Sequence, residues 1–383
     1  MRLTLLLSLF LIVSCNKESY DDLSISKKEE SIFIYMIADN DLDYFAVSNI
    51  NQMEEAFYKH LPLGNLFVYI DRSRYTQKEV PVLYKITADN TPNISSKIIK
   101  EYPEQNSSDP KNFEKVLKDV EEKVVLKGIV LWSHGSAWLP DMKKLSSKRK
   151  TKSNFYASFG KDMDIQDSHY PTDMNIIDLA NVLQNKHYEF LLLDACFMAS
   201  IEVLYELRNS FSYIIASPTE ILVSGFPYKE ILPILFKNIV NYKEITKIFI
   251  NYYKKNINPS ASISIINTKK IEQFSLSYHN LISENNNFKV NIENIFQYDT
   301  EKNYWLFDLK QIILQYPKTS SREKALKDFE ELLVDYQYTD FFFNKIKLSN
   351  SFGISIYIPN NFSPREKENL FYETLSWSKQ LKP

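Results

Sequence analysis

The chain has 383 residues, with 46 Lys and Arg against 48 Asp and Glu and a formal net charge of −2. That balance excludes the basic surplus of a nucleic-acid surface. Apolar residues at 44% and charged residues at 25% are the make-up of an ordinary globular protein, long enough for one large domain or two smaller ones.

Met1-Arg2 opens the chain with a positive charge, and Leu5 to Val13 is apolar except for Ser8. A membrane-spanning helix needs about 20 apolar residues, so this shorter run predicts a secretory signal. The expected small-residue cleavage site is replaced by Ile12-Val13-Ser14-Cys15, which resembles the bacterial lipobox. Cleavage at residue 14 leaves Cys15 first, carrying acyl chains that hold the protein in a membrane. The bland alternative is a plain signal with an incidental cysteine. Residues 15–30 are polar and charged and suit a flexible tether. Lys17-Glu18 and Asp21-Asp22 resemble the surface-export tags of some Gram-negative lipoproteins. The expected location is the bacterial outer membrane, on its periplasmic or cell-surface side. The chain has two cysteines. With Cys15 acylated, Cys196 has no partner within the chain and reads as a reactive thiol.

Beyond the tether the pattern alternates. Residues 31–38 (SIFIYMIA) and 65–70 (NLFVYI) predict buried strands, with a helix over 44–58 between them and a third strand over 80–86. A helix over 112–123 leads to a strand over 128–132, and a helix over 175–184 to a strand over 190–193. A helix over 197–208 and a strand over 213–216 follow. Continuous apolar runs separated by amphipathic helices predict an α/β fold whose mostly parallel sheet is covered on both faces. After residue 240 the pattern loosens. Strands are expected over 261–266 and 353–358, helices over 244–255, 271–284 and 322–336, and an irregular segment over 285–302. The expected organisation is a core over 31–240 with a C-terminal helical or α+β extension over 241–383 packed on it.

Active sites of such sheets lie beyond the carboxyl ends of the strands. Two strand ends carry chemistry there: Trp132 runs into Ser133-His134-Gly135, and Leu193 into Asp194-Ala195-Cys196. If those strands are neighbours, an imidazole and a thiol meet at one edge. A thiol attacks as thiolate, and an imidazole supplies the acid that a leaving amine needs. The helix expected from Phe197 would favour the thiolate through its dipole. Backbone N–H groups of Gly135 and Cys196 are candidates for an oxyanion hole. Taken singly, a lone cysteine is more often a small core residue and a strand-end histidine an ordinary loop residue. Their placement together argues for catalysis.

Trp132-Ser133-His134-Gly135 and Leu193-Asp194-Ala195-Cys196-Phe197-Met198-Ala199 resemble the clostripain family of cysteine peptidases, which share the caspase-like fold. Ile37 to Leu42, Ala216 to Glu220, Gly225 to Tyr228, Tyr304 to Leu309 and Phe352 to Tyr357 extend the resemblance over roughly residues 31–360. It implies peptide-bond hydrolysis by a Cys196–His134 dyad with no obligatory third residue. It also implies cleavage after Arg or Lys, with Asp194 as the pocket carboxylate and Ser217 and Thr219 in the substrate site. Asp194 also reads as a cap of the following helix. The loop 221–225 lacks the second acid that some basic-specific relatives carry.

The run 143–152 is densely basic, and Lys148 and Arg149 are candidate self-cleavage positions in an enzyme of that specificity; a solvated loop is the alternative. Asp39, Asp41 and Asp43 alternate like calcium ligands, but the EF-hand glycine and twelfth-position glutamate are missing. No cofactor is expected, with a calcium effect left open. His60, His169, His187 and His279 lack metal-ligand spacing. The expected partners are a peptide or protein substrate and the membrane, with no nucleic acid and a monomeric state. The competing function is a catalytically silent surface lipoprotein that binds peptides or glycans, and a third is hydrolysis of a non-peptide amide.

Overall fold

The structure is a computed structural model that describes residues 30–60, 63–72, 80–139, 159–163, 172–299, 306–359 and 366–382. The signal, Cys15 and most of the tether, the basic run with Lys148 and Arg149, and His169 lie outside the described residues.

In chain order the first half forms β1 (Glu30–Ala38), α1 (Asp43–Lys59), β2 (Asn65–Arg72), β3 (Val82–Lys85), β4 (Lys97–Glu101), α2 (Pro110–Glu121) and β5 (Val125–Trp132). A small hairpin, β6 (Phe159–Asp162) and β7 (Thr172–Met174), precedes α3 (Ile176–Val182), β8 (Tyr188–Asp194), α4 (Ile201–Leu207), β9 (Phe211–Ala216) and α5 (Tyr228–Leu235). The second half supplies α6 (Tyr242–Tyr253), β10 (Ser262–Asn267), α7 (Ile271–Glu284), β11 (Phe307–Asp308), α8 (Leu309–Gln315), α9 (Ser320–Leu332) and β12 (Leu333–Tyr338). It ends with β13 (Phe341–Phe342), β14 (Ile346–Lys347), β15 (Ser355–Ile356), α10 (Glu366–Tyr372) and α11 (Ser376–Gln380).

Nine strands form one sheet in the order β12-β10-β9-β8-β5-β1-β2-β3-β4. The central strands β9, β8, β5, β1 and β2 are parallel, and the edges are antiparallel. Strand β1 shows why the sheet needs two cover layers. Its alternate side chains Phe33, Tyr35 and Ile37 enter one apolar core with residues of α2, α3, α4, α7 and α9. Ile32, Ile34, Met36 and Ala38 enter the other, with α1, α5 and α6. A strand buried on both faces reads as a continuous apolar run, which is how SIFIYMIA appears in the sequence.

The segment after residue 240 is continuous with this sheet. Strand β10 pairs antiparallel with β9, and β12 with β10. The helix expected over 322–336 stops at Leu332, and Leu333-Val334-Asp335-Tyr336-Gln337-Tyr338 forms the edge strand instead. Tertiary pairing along β10 overrides the local helical pattern there, in a run whose aromatic and β-branched residues suit a half-buried strand. The segment expected to be irregular holds order through its side chains as far as it is described. Phe296 N–H donates to Gln311 Oε1 at 2.7 Å, and buried Tyr298 donates to Asp308 Oδ2 at 2.6 Å.

Candidate active site

Strands β5 and β8 are direct neighbours in parallel register, with Trp132 opposite Asp194. Beyond that pair the ladder continues as Ser133 N–H to Asp194 C=O at 3.3 Å. His134 and Cys196 therefore leave adjacent strands at the same carboxyl edge. The two loops then pack backbone to backbone. A Cβ on Gly135 would lie 2.8 Å from Cys196 O and 3.2 Å from Cys196 N, so only glycine permits this approach. Gly135 and Cys196, the candidate oxyanion donors, thus lie side by side.

The His134 loop is fixed from several sides. Ser133 Oγ donates to Ile37 O at 2.8 Å, and His134 O accepts from Gly160 N–H at 3.0 Å. Ala137 adopts a φ of 59°, uncommon for a residue with a side chain. Next to it Trp138 is fully buried, with its ring 4.9 Å from that of Tyr357 and 5.4 Å from that of Tyr372. The C-terminal segment thus supports the loop that carries the imidazole. His134 Nε2 lies 2.8 Å from Asp41 Oδ1. Burial pulls the Asp41 pKa up, but the hydrogen bond and charge of His134 outweigh it and leave the carboxyl below its ordinary range. In the sequence Asp41 stands in a calcium-like series and within the family-like run Ile37 to Leu42, and neither marks this pairing. Its signal was the position of Asp41 just beyond β1, the strand next to β5.

Cys196 sits in a turn held between two neighbours. Phe197 N–H donates to Thr219 O and Ala199 N–H to Ser217 O, both at 2.9 Å, while Ala199 O accepts from Ser355 N–H at 3.0 Å. Phe197 itself has a φ of 64°, a strained conformation for an aromatic residue that its surroundings impose. The helix expected from Phe197 begins only at Ile201, capped by Ser200, whose side chain accepts from Val203 N–H. A capping serine defeats helix extension back to Cys196, so the expected dipole assistance to the thiolate is not present at the sulfur. Instead Cys196 Sγ accepts from Ile221 N–H at 3.4 Å and donates to Ile221 O at 3.7 Å. Burial pushes the thiol up to about 12, the Ile221 N–H lowers it, and the charges of Glu220 and Asp194 raise it further. In this resting geometry iodoacetamide alkylation is expected to be slow at pH 7 and to rise about tenfold per pH unit, because only thiolate reacts. A rate that levels off by pH 8 would contradict that resting state.

Asp194 is 4% exposed, and its Oδ2 accepts from Phe226 N–H at 3.1 Å and from Tyr228 Oη at 2.8 Å. It does not cap the following helix; Ser200 does. Its partners are Phe226, in the loop beyond β9, and Tyr228, which opens α5. That loop is also tied to α1, where Asn49 donates to Ser224 O at 3.0 Å while accepting from Trp132 Nε1 at 2.9 Å. Gly225 closes the cluster with a φ of 63°, and a Cβ there would lie 2.7 Å from Asp194 Oδ2. Asn49 is not marked in the sequence, and Trp132 and Tyr228 enter there only as parts of family-like motifs, because nothing local shows that the three are neighbours. Ser217 and Thr219 are fully buried, with Thr219 Oγ1 2.9 Å from Ser262 Oγ. Their side chains pack inward, while their carbonyls hold the nucleophile turn.

The three alternating aspartates diverge. Asp41 meets His134, Asp43 grips Arg72 through both oxygens at 2.9 and 3.0 Å, and Asp39 is buried at the end of β1. Among the described residues no three His, Cys, Asp or Glu side chains gather so as to hold a metal ion.

A model of the clostripain family matches residues 34–382. A secreted C11 cysteine protease from Bacteroides thetaiotaomicron, solved with an irreversible peptide inhibitor, is similar with a TM-score of 0.75 and 24% identity, over 92% of this chain and 98% of that one. An inactive zymogen C11 protease from Parabacteroides distasonis has a TM-score of 0.75 and 25% identity over 92% and 98% of the two chains. A second secreted protease from Bacteroides thetaiotaomicron, iotapain, has a TM-score of 0.76 and 19% identity over 93% and 99%. No protein of curated function matches the chain.

Proposed function

This chain belongs to the clostripain family of cysteine peptidases, and on that premise we propose that it is a lipid-anchored endopeptidase that cleaves after Arg or Lys through Cys196 and His134. The α/β fold and the activity class, a cysteine-type peptidase acting on peptides or proteins, follow from family membership. One observation carries the residue assignment: β5 and β8 are parallel neighbours, so the histidine and the cysteine end at one edge of the sheet.

Cys196 attacks the scissile carbonyl as thiolate, the imidazole having taken its proton. The N–H groups of Gly135 and Cys196 stabilise the oxyanion. The C–N bond breaks as His134 returns the proton to the leaving amine, giving a thioester. Water, losing a proton to the same ring, then displaces the sulfur. Burial raises the thiol beside Ile221 well above its ordinary range, so the imidazole must take its proton for attack. The basic preference draws on Asp194, a buried carboxylate two residues before the nucleophile. A P1 cation there would make a charge-assisted hydrogen bond with the carboxylate, and burying that cation without such a partner would be strongly disfavoured.

Self-cleavage at Lys148 or Arg149 would activate the enzyme, in keeping with a relative whose structure is named an inactive zymogen. Anchoring rests on the Ser14-Cys15 junction. Among the described residues no helix is long and apolar enough to cross a membrane. Mass spectrometry of the protein extracted from membranes, beside Cys196→Ala, tests both points. The expected result is a diacyl or triacyl Cys15 in both proteins, with cuts at Lys148 or Arg149 in the active one alone. An unmodified N-terminus or an intact, fully active chain would remove the corresponding part.

A further inference from the structure

We infer that Asp41 is a positioning residue that holds the His134 proton on Nε2 and so makes Nδ1 the atom that exchanges protons with Cys196 and the leaving amine. The inference concerns this chain's dyad and rests on the catalytic roles proposed above.

An imidazole that works as both base and acid must present one nitrogen to the reacting atoms, and the partner of the other nitrogen selects the tautomer. Here Nε2 is already engaged, 2.8 Å from Asp41 Oδ1. A carboxylate accepts and does not donate, so Nε2 carries the hydrogen. Nδ1 is then left with its lone pair. It takes the Cys196 thiol proton before the sulfur adds to the carbonyl carbon, and delivers that proton to the amine nitrogen as the C–N bond breaks. In deacylation it takes a proton from water as the oxygen adds, and returns that proton to the sulfur as the C–S bond breaks. The ring's positive charge forms and disappears twice, each time with Asp41 at its far side.

The placement of Asp41 is built by its neighbours. Asn40 Nδ2 donates to Ile37 O at 3.0 Å and to Lys161 O at 2.7 Å, while Asn40 Oδ1 accepts from Leu42 N–H at 2.8 Å. This closes a tight turn with Asp41 at its tip. The same Ile37 carbonyl accepts from Ser133 Oγ at 2.8 Å. The turn that presents the carboxylate and the loop that presents the imidazole therefore share one anchoring atom. Just beyond, Asp43 and Arg72 fix the first turn of α1. The depressed Asp41 pKa keeps the carboxyl ionised at neutral pH. The Asp41 side chain is 74% exposed and that of His134 37%, so the pair contributes little to stability. Its removal should be felt in the reaction and not in the fold.

The test compares wild type with Asp41→Asn, Asp41→Ala and Asp41→Glu, using the best peptide of a P1-varied set. Asp41→Asn and Asp41→Ala are expected to lower kcat about 10- to 100-fold, a fraction of what acid–base catalysis supplies as a whole. KM and the melting temperature should stay unchanged, and Asp41→Glu should retain more of kcat. Nitrogen-15 NMR of the His134 ring gives a readout independent of turnover. Wild type should show the hydrogen on Nε2, and Asp41→Ala a shift toward the other tautomer. A kcat within twofold of wild type in both Asp41→Asn and Asp41→Ala would overturn the inference. So would an unchanged ring tautomer, or a loss that appears in KM or thermal stability with kcat intact. Because the NMR readout needs no substrate, it separates failure of this inference from failure of the peptidase roles.

Discussion

Cys196→Ala is expected to reduce peptide hydrolysis about 10⁶-fold, to the level left by binding alone. The magnitude follows from the chemistry: alanine removes the only atom that can form the thioester, and a neighbouring imidazole cannot substitute for it. The fold should survive. Cys196 occupies a turn whose hydrogen bonds run through the backbone of residues 197 and 199, and the sulfur's own contacts are two long ones to Ile221. His134→Ala should fall nearly as far, since residues acting as one unit are not additive. The measurement is steady-state hydrolysis of fluorogenic peptides by the three proteins at matched concentration. Retained activity in Cys196→Ala would sink the nucleophile assignment. Inactivity of all three, even after nicking of the 143–152 run and addition of calcium, would favour a peptide-binding lipoprotein.

Asp194→Asn is expected to lower kcat/KM for Arg or Lys at P1 about 10²- to 10³-fold while leaving uncharged P1 residues nearly unaffected. A buried cation that loses its carboxylate partner costs about 2–5 kcal/mol, and each 1.4 kcal/mol is tenfold. Both bonds go to Asp194 Oδ2, and an asparagine oxygen in that place can accept from Phe226 N–H and from Tyr228 Oη, so the structural ties are kept while the charge is lost. An equal loss for every P1 residue would mean that Asp194 serves only to hold Phe226 and Tyr228, and the basic pocket would have to be sought elsewhere.

The same carboxyl makes a pH prediction. Burial raises Asp194 to about 6, outweighing the lowering by Phe226 N–H and Tyr228. Its folded pKa thus lies above the unfolded value near 3.9, and the folded state binds the proton more tightly. Through this group stability is fully present below about pH 4, declines as pH rises to about 6, and is constant beyond. Asp194→Asn should lack that slope in thermal melts. A P1 cation needs the ionised form, so KM for basic peptides should rise below about pH 6 in wild type alone. A wild-type KM flat from pH 5 to 8 would contradict this.

Much of the fold was legible in the sequence because its signals are local. Continuous apolar runs such as Phe190 to Leu193 mark strands with no face in water, and β8 appears there as Tyr188–Asp194. The helix over 271–284 matches α7 residue for residue, since its apolar spacing, with buried Ile271, Phe274, Tyr278 and Leu281, is a property of one segment. The nucleophile helix was misjudged because Ser200 decides its start, and a Ser-Ile junction carries a weaker signal than the apolar run around it. Strand β12 was misread because it depends on β10 as a partner.

The sequence by itself determined which chemistry the chain carries, a histidine and a cysteine each placed at the end of a buried strand. Only the tertiary structure decided that the two strands are neighbours. It also decided that Asp41 is the partner of the imidazole, and that the carboxylate of Asp194 turns toward Phe226 and Tyr228. The physical reason is range. Strand and helix patterns arise from the periodicity of one segment, whereas a hydrogen bond between residues 41 and 134 exists only once β1 lies beside β5.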